Sequence, residues 1–300
     1  MQCCRLLLLD SKEYESSLKE GLLERNIEII ITSDEEEALH LIQEHSCLAM
    51  LWDAHTITKD TLEYIEILKA ANSALPIILL ADNDSSNITL ELFSLEVFAF
   101  LKKPANCVEL LELIQSALDI AEQGDGLQIL SATSSWIEVN IPAQTSYIPR
   151  LSNWVGKLLL GFSERDHQRL VYAFRELVQN AIEHGSQFCA SKKVKIQYLL
   201  SKRFLCFQIE DEGNGFKMNQ IPHAAIGYRS KNAAMEVMLY RKRLGMRPGG
   251  LGIVSVQSIA DELIYNQKGN CVALIKYLPT EPPSLPSAPS QPQQPQQEQK

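Results

Sequence analysis

Three short motifs stand in a fixed order in the second half of the chain, and together they restrict its fold more than any other feature. They cover residues 176–185 (ELVQNAIEHG), 211–216 (DEGNGF) and 249–252 (GGLG). Each is weak alone, because D-x-G-x-G strings and glycine pairs occur in many turns. An amphipathic helix followed by two ordinary glycine turns is therefore the plain alternative. In this order and at these separations, the motifs instead predict one composite site.

The first motif lies on a predicted helix. Apolar residues recur at helical spacing between Leu170 and Ile182, so Glu176 and Asn180 are one helical turn apart on the same face. On one face of a helix, a carboxylate can accept a proton while a neighbouring amide oxygen binds Mg²⁺. Mg²⁺ prefers hard oxygen ligands and often has only a few ligands from the protein.

The second motif follows an apolar run at 204–209, which predicts a strand that ends near Asp211. A carboxylate at a strand tip can accept a charge-assisted hydrogen bond, for instance from the amino group of adenine. The glycines after it permit positive φ and close approach of a ligand. Those of the third motif precede a predicted helix whose first N–H groups would face phosphates. The glycines concerned are Gly213, Gly215, Gly250 and Gly252.

These motifs resemble the N, G1 and G2 boxes of the ATPase fold shared by gyrases, sensor histidine kinases and anti-sigma-factor serine kinases. The last branch is the most similar. The resemblance implies an α/β two-layer sandwich over residues 135–278 that binds ATP and Mg²⁺. It implies that Glu176 is the general base, that Asn180 holds Mg²⁺, that Asp211 reads adenine and that the four glycines shape the phosphate loops. One departure is Asn270, where these ATPases commonly place threonine.

Residues 1–123 show a different pattern, in which short apolar runs alternate with helical segments. Continuous apolar strands separated by helices predict a doubly wound, five-stranded parallel sheet covered on both faces. A capping box is expected at Ser33, with Glu36 reaching back. The final helix is expected to begin near Asn106 and to stop before Gly124. The predicted strands lie at 5–9, 27–31, 47–52, 76–81 and 97–101.

Sites in such sheets form at the carboxyl ends of the strands, where this chain places Asp10, Asp53 and Lys103. The domain resembles the receiver domain of response regulators, which implies that Asp53 accepts phosphate and that Lys103 contacts the phosphoryl group. It departs from that pattern at Ser11, where a second acid is usual, and at Leu80, where Ser or Thr is usual. Two interpretations remain open: an aspartyl-phosphate switch with weakened Mg²⁺ chemistry, or a degenerate receiver kept for dimerisation or partner docking.

Between the two domains, residues 124–134 are predicted to be a linker, followed by an edge strand at 136–141. We find no helix with a phosphoacceptor histidine after Lys103, as a sensor histidine kinase would need. His167 is the nearest candidate, and a surface position is the simpler interpretation.

Two further segments are predicted to lie outside the hydrophobic core of either domain. Residues 217–248 are predicted to form a lid over the nucleotide, with Arg241, Lys242, Arg243 and Arg247 either clamping phosphates or forming a solvated basic face. Residues 279–300 carry a proline at every third position in a Gln-rich context, which is typical of a disordered, polyproline-like tail.

The net charge and the cysteine content indicate where the protein is located and which classes of partner it binds. A net charge of −9 argues against a nucleic-acid footprint. The seven scattered cysteines are typical of reduced thiols, and neither a signal peptide nor a membrane-length apolar window is present. We expect a soluble cytoplasmic protein that binds neither nucleic acid nor membrane directly.

The resemblance favours an ATP-dependent protein serine/threonine kinase of the anti-sigma-factor type, acting in partner-switching signalling. It implies a sigma factor or an anti-sigma-factor antagonist as partner, and a homodimer. A non-catalytic, ATP-bound module that sequesters a partner is the main alternative. An atypical histidine kinase is the third interpretation.

Overall fold

The first sheet of the molecule is parallel and has five strands in the order β2-β1-β3-β4-β5. The computed structural model describes residues 4–10, 14, 18–19, 21–22, 27–44, 47–83, 86–215 and 252–279. The predicted doubly wound sheet is confirmed, and its order is the one found in flavodoxin-like and receiver folds. The strands are β1 (Cys4–Leu9), β2 (Ile27–Thr32), β3 (Ala49–His55), β4 (Ile77–Ala81) and β5 (Ala99–Lys102).

Four helices of this domain lie in the described part of the chain. Asn106 caps the last one, as predicted, by accepting hydrogen bonds from the N–H groups of Val108 and Glu109. The first is capped by Asp34 and not by Ser33, because the Asp34 carboxylate accepts from the Glu36 N–H. The helices are α1 (Glu35–Gln43), α2 (Lys59–Ala71), α3 (Ser86–Ser94) and α4 (Cys107–Gln123).

The second sheet is antiparallel, with six strands in the order β10-β11-β9-β8-β7-β6. Alternate side chains of its central strands are buried, so one face packs on helices, which confirms the predicted α/β sandwich. Its strands are β6 (Gln128–Ala132), β7 (Trp136–Pro142), β8 (Lys193–Leu200), β9 (Phe204–Asp211), β10 (Glu262–Tyr265) and β11 (Cys271–Tyr277). Its helices are α5 (Tyr147–Leu158), α6 (Glu164–Asn180) and α7 (Gly252–Ile259).

Two strands differ from the sequence prediction. β6 falls inside the predicted linker at 124–134 and pairs with β7, so β7 is not the edge strand of this sheet. The pairing contains a register shift between Ile129 and Ser131, which hides the regular alternation by which strands are recognised. β10 has four residues and was too short to predict.

Helix α5 joins the two domains, because it packs against β5 and α3 of the first sheet while leading into α6 of the second. The Trp154 indole N–H donates to the Phe98 carbonyl at 2.9 Å, and its ring meets Phe93 edge-on with centroids 5.1 Å apart. Asn153 accepts a hydrogen bond from the Phe100 N–H at 3.0 Å. These contacts satisfy backbone groups of β5, which is the outer strand of its sheet.

Charged side chains complete this interface. Arg150 is 3% exposed; its guanidinium lies 4.8 Å from the centre of the Phe98 ring and pairs with Asp125 at 2.6 Å. The Lys157 ammonium lies 4.6 Å from the centre of the Phe100 ring. Burial, with the nearby Arg150 charge, lowers the pKa of Lys69 to about 8. A buried polar network of this kind favours one specific arrangement of the two domains.

Within the part of the chain that the structure describes, no helix has the length and apolar character needed to cross a bilayer.

Candidate functional site

Helix α6 carries the first predicted site residues. It begins at Ser163, whose hydroxyl accepts the Asp166 N–H, and its apolar stripe faces the second sheet. Phe174 on this stripe packs against Phe207 of β9, with ring centroids 5.2 Å apart. This packing sets the rotation of the helix, so Glu176 and Asn180 lie one turn apart beside the buried stripe, as predicted.

Glu176 lies against the start of helix α7. A Cβ atom built on Gly252 would fall 2.1 Å from the Glu176 Oε2 atom, so only glycine leaves room for the carboxylate there. Burial raises the pKa of Glu176, while a hydrogen bond from Tyr172 and the Arg175 charge act in the opposite direction. A partly desolvated carboxylate with a raised pKa is a better proton acceptor near neutral pH than an ordinary glutamate.

Asn180 marks a change in helix geometry. From Ala181 to Gly185 the chain forms a π-helical turn, a deviation that often accompanies functional sites. The Asn180 Nδ2 atom is buried and finds no hydrogen-bond partner among the described residues. Unpaired buried amides are uncommon, and rotation about χ2 can present either end of the amide to a ligand.

Asp211 lies at the end of β9 in a cradle formed by two glycines. A Cβ atom on Gly185 would lie 2.2–2.4 Å from the Asp211 carboxyl atoms, and one on Gly213 would lie 2.1 Å from the Gly185 carbonyl oxygen. The Gly213 N–H donates to the Asp211 Oδ1 atom at 2.7 Å. Burial raises the pKa of Asp211, which this hydrogen bond and the charges of Lys268 and Lys192 oppose.

The turn between β10 and β11 holds Asp211 from the other side. The Asn270 Nδ2 atom donates to the Asp211 carbonyl oxygen at 2.6 Å, and the Asp211 N–H donates to the Asn270 carbonyl at 2.9 Å. Asn266 organises the turn, since its Oδ1 atom accepts from the N–H groups of Gly269 and Asn270. Gly215 closes this corner with φ +70°, where a Cβ would lie 2.0 Å from the Lys268 carbonyl oxygen.

The cleft thus brings together residues from all three predicted motifs, although Gly250, the lid at 217–248 and its four basic residues lie outside the described part of the chain. No role for Gly185 or Asn266 was predicted from the sequence. Both residues could have been identified from local sequence. Gly185 is the last residue of the first motif, and Asn266 stands three residues before Gly269, a spacing typical of turns.

A second cluster lies at the carboxyl ends of the first sheet. The Asp53 side chain is 0% exposed and its Oδ2 atom pairs with the Lys103 ammonium at 2.8 Å. The Asp53 Oδ1 atom accepts the His55 N–H at 2.8 Å, and the His55 Nδ1 atom lies 3.2 Å from the Lys103 ammonium. Asp53, the predicted phosphate acceptor, and Lys103, the predicted phosphoryl contact, thus lie side by side at this edge of the sheet. Their role in phosphate chemistry stays a prediction, and a carboxylate removed from solvent is poorly placed to meet a phosphodonor.

Other residues singled out in the sequence have simpler positions. Asp10 is exposed with φ +53°, and its N–H donates to the Thr32 carbonyl at 3.1 Å. Leu80 is fully buried. His167 is not a solvated surface residue: its Nε2 atom lies 2.8 Å from the Gly156 carbonyl oxygen, a contact that joins α6 to α5. The reason is that α5 packs across the first turns of α6.

Replacing Asp53 by alanine should strongly destabilise the protein. Lys103 has a side chain only 14% exposed and would lose its carboxylate partner. We expect the free energy of unfolding to fall by about 3 kcal/mol, since breaking a buried ion pair on one side costs roughly 3–5 kcal/mol. Urea denaturation followed by circular dichroism measures it. Asp60→Ala, at an exposed position of α2, is the control and should have a much smaller effect. An Asp53→Ala protein as stable as the parent would contradict the pairing.

Comparison with known proteins bears on the second domain first. Residues 141–276 match the family model described as a histidine kinase-like ATPase domain. The second domain is therefore similar to histidine kinase-like ATPase domains. A curated relative of this chain is the serine-protein kinase RsbW of Bacillus subtilis (strain 168). It is 25% identical over 151 residues, which are 49% of this chain and 89% of the relative.

Solved structures resemble the first domain. A CheY-like response regulator receiver domain protein from Methanospirillum hungatei JF-1 is 22% identical and covers 41% of this chain and 98% of its own, with a TM-score of 0.36. A response regulator from Thermotoga maritima is 14% identical and covers 39% of this chain and 98% of its own, with a TM-score of 0.35. The receiver-like character of the first domain follows from its own strand order, β2-β1-β3-β4-β5.

Proposed function

We propose that the protein is an ATP-dependent kinase that phosphorylates a serine or threonine of a protein partner in the cytoplasm, as one step of partner-switching signalling. The observation that carries the proposal is the pair Glu176 and Asn180, one turn apart on α6 beside the Asp211 cradle. The 25% identity of the ATPase domain to a protein named as a serine kinase supports the same reaction.

The residues of the cleft fit an adenine nucleotide. Asp211 offers a carboxylate acceptor in a place where two glycines leave no side chain between it and the cleft. The buried Asn180 amide nitrogen has no hydrogen-bond partner among the described residues, as expected of a group that binds a ligand. The described residues contain no group of three acidic, His or Cys side chains suited to a metal. A Mg²⁺ ion bound through Asn180 would therefore take most of its ligands from phosphate oxygens and water.

Glu176 supplies the proton chemistry in this proposal. Its carboxylate accepts the proton of the partner's hydroxyl group as that oxygen bonds to the γ-phosphorus. The electron pair of the breaking bond leaves with ADP, and the product is a phosphoserine or phosphothreonine. Gly252 lets α7 approach this carboxylate closely, and the N-terminus of α7 adds partial positive charge beside the transferred group.

The partner in this proposal is a sigma factor or an anti-sigma-factor antagonist, as the resemblance to anti-sigma-factor kinases implies, and the kinase acts as a homodimer. The reaction can be tested with purified full-length protein, Mg²⁺ and γ-labelled ATP, with a candidate anti-sigma-factor antagonist as acceptor. Acid-stable phosphoserine or phosphothreonine on the acceptor supports the kinase. Acid-labile phosphate on the protein itself supports an atypical histidine kinase. ATP binding without transfer supports a sequestering module.

Gly185→Ala should damage the cleft itself. The new methyl group would overlap the Asp211 carboxylate, so we expect a loss of about 1–3 kcal/mol of stability from overpacking. Displacement of the carboxylate should weaken ATP binding at least about tenfold. Calorimetric titration with Mg·ATP and thermal denaturation measure the two effects. The matched control is Gly161→Ala, because a Cβ there meets nothing within 4 Å. Equal ATP affinity in both variants would refute the role of the cradle.

For the first domain we propose a scaffold rather than an aspartyl-phosphate switch. The burial of Asp53 and its pairing with Lys103 support this choice between the two interpretations. The protein should then show no change in mobility, stability or kinase activity with acetyl phosphate or beryllofluoride and Mg²⁺. If either reagent changed one of these properties, and the change were absent from the Asp53→Asn protein, the aspartyl-phosphate switch would be the correct interpretation.

A further inference from the structure

A groove lies between the two domains, outside the ATP cleft. It has a volume of about 530 Å³, which is within the range of about 300–1,000 Å³ typical of ligand pockets. One wall is the helix α4 of the first domain; the other consists of the segment before α5, Arg175 on α6 and Phe188. We call it the interdomain groove.

The α4 wall is acidic. This helix carries Glu109, Glu112, Asp119 and Glu122 and has no lysine or arginine. Acids near the C-terminal end of a helix oppose its macrodipole, so this arrangement does not serve the stability of the helix. Of the two acids that line the groove, Glu112 faces Arg175 at 3.8 Å with both side chains about half exposed, which is a weak pair. Asp119 accepts a hydrogen bond from the neutral amide of Gln115 at 2.7 Å and forms no ion pair with any cation in the described part of the chain.

The opposite wall presents an aromatic ring at a strained position. Gln187 and Phe188 have φ of +57° and +55°, a conformation that favours glycine. Phe188 is nevertheless 58% exposed, so burial of its ring does not offset the strain. Strained residues of this kind concentrate at binding sites. An exposed aromatic ring beside acidic groups offers an anchor for an apolar or cationic side chain.

We propose that the interdomain groove binds a basic segment of the protein partner, with a cationic side chain against Glu112 and Asp119 and an apolar or aromatic one on Phe188. The proposal rests on the proposed function, since it names a docking site for the partner of that kinase. The choice of a basic peptide follows from charge complementarity with the α4 wall.

The groove adjoins the ATP cleft through the chain itself. Arg175 precedes Glu176 on α6, and the Phe188 N–H donates to the Ile182 carbonyl of the π-helical turn that follows Asn180, at 3.0 Å. A segment bound here contacts both domains and the C-terminal end of the helix that carries Glu176 and Asn180. The receiver-like domain thereby supplies one half of a partner-binding surface.

The test uses the full chain and a short fluorescent peptide that contains arginines and a tryptophan, followed by fluorescence anisotropy. The variants Glu112→Gln with Asp119→Asn, and separately Phe188→Ala, should each weaken binding about tenfold. They alter exposed or half-buried side chains, so the fold is retained. Glu66→Gln with Asp60→Asn, at two exposed positions of α2 away from the groove, removes the same two charges; this control should leave binding unchanged.

Three outcomes would overturn the groove proposal. A peptide with glutamates in place of arginines could bind equally well, or spermine at the same concentration of positive charge could displace the basic peptide completely. The third is that the groove variants bind the peptide as tightly as the parent protein. Mg·ATP affinity is measured by calorimetry on the same samples. A parent protein that binds Mg·ATP but not the basic peptide refutes the groove proposal alone, and a parent protein that does not bind Mg·ATP refutes the proposed kinase.

Discussion

Glu176→Gln should reduce phosphoryl transfer by about 10²- to 10⁴-fold, the range for loss of a general base, while ATP binding is retained. The substitution keeps the size of the side chain beside Gly252 and removes only the group that accepts the proton. The measurement is the single-turnover rate of acceptor phosphorylation, together with Mg·ATP affinity from calorimetry.

The pH dependence sharpens this prediction. Burial raises the pKa of Glu176, so the carboxylate loses its proton at higher pH than an ordinary glutamate. The rate should therefore fall as the pH drops through that raised pKa, and this acidic limb should be absent from the residual activity of Glu176→Gln. Glu164→Gln, on the first turn of the same helix, is the control. Full activity of the Glu176→Gln protein would show that the proposed base is wrong and would favour a different catalytic group.

Trp154→Ala should have the largest effect on stability. The side chain is 3% exposed, packs on Phe93 and donates to the Phe98 carbonyl. Truncation of a buried tryptophan costs about 3–5 kcal/mol, from lost burial and the cavity left behind. Urea denaturation followed by circular dichroism gives the free energy of unfolding and should show this loss.

Trp154→Phe separates packing from hydrogen bonding at the same position. It keeps most of the ring contact and removes the N–H donor, so we expect a smaller loss of about 1–2 kcal/mol. If Trp154→Ala were within about 1 kcal/mol of the parent, α5 would not be held against β5 in solution, because a loss that small is typical of a surface change.

The two predictions are linked by the position of α5. This helix contacts β5 with Trp154 and Asn153, and it contacts α6 through the Gly156 carbonyl and His167. A structural change in β5 of the first domain can therefore shift α5, and α5 can in turn shift the helix that carries Glu176. Partial activity loss in Trp154→Phe, with the catalytic residues intact, would be the sign of that coupling.

Much of the fold could be predicted because its signals are local. Continuous apolar runs predicted all five strands of the first sheet, and the Asn106 side chain predicted the start of α4. Other boundaries had no local signal. The register shift in β6 removed its regular alternation, so this strand was missed and its residues were assigned to the linker. The cap at Asp34 was assigned one residue early because Ser33 and Asp34 are both good capping residues.

By itself, the sequence determined which residues could form the site. Glu176 and Asn180 are one helical turn apart, and the D-x-G-x-G motif can be recognised without knowledge of the tertiary structure. Only the tertiary structure decided that Gly185 cradles Asp211, that Lys103 closes over a buried Asp53, and that α4 and Phe188 face each other across a groove. The reason is physical. Periodicity and capping depend on residues within a few positions of one another, whereas burial, missing Cβ atoms and charge pairing depend on residues brought together from distant parts of the chain.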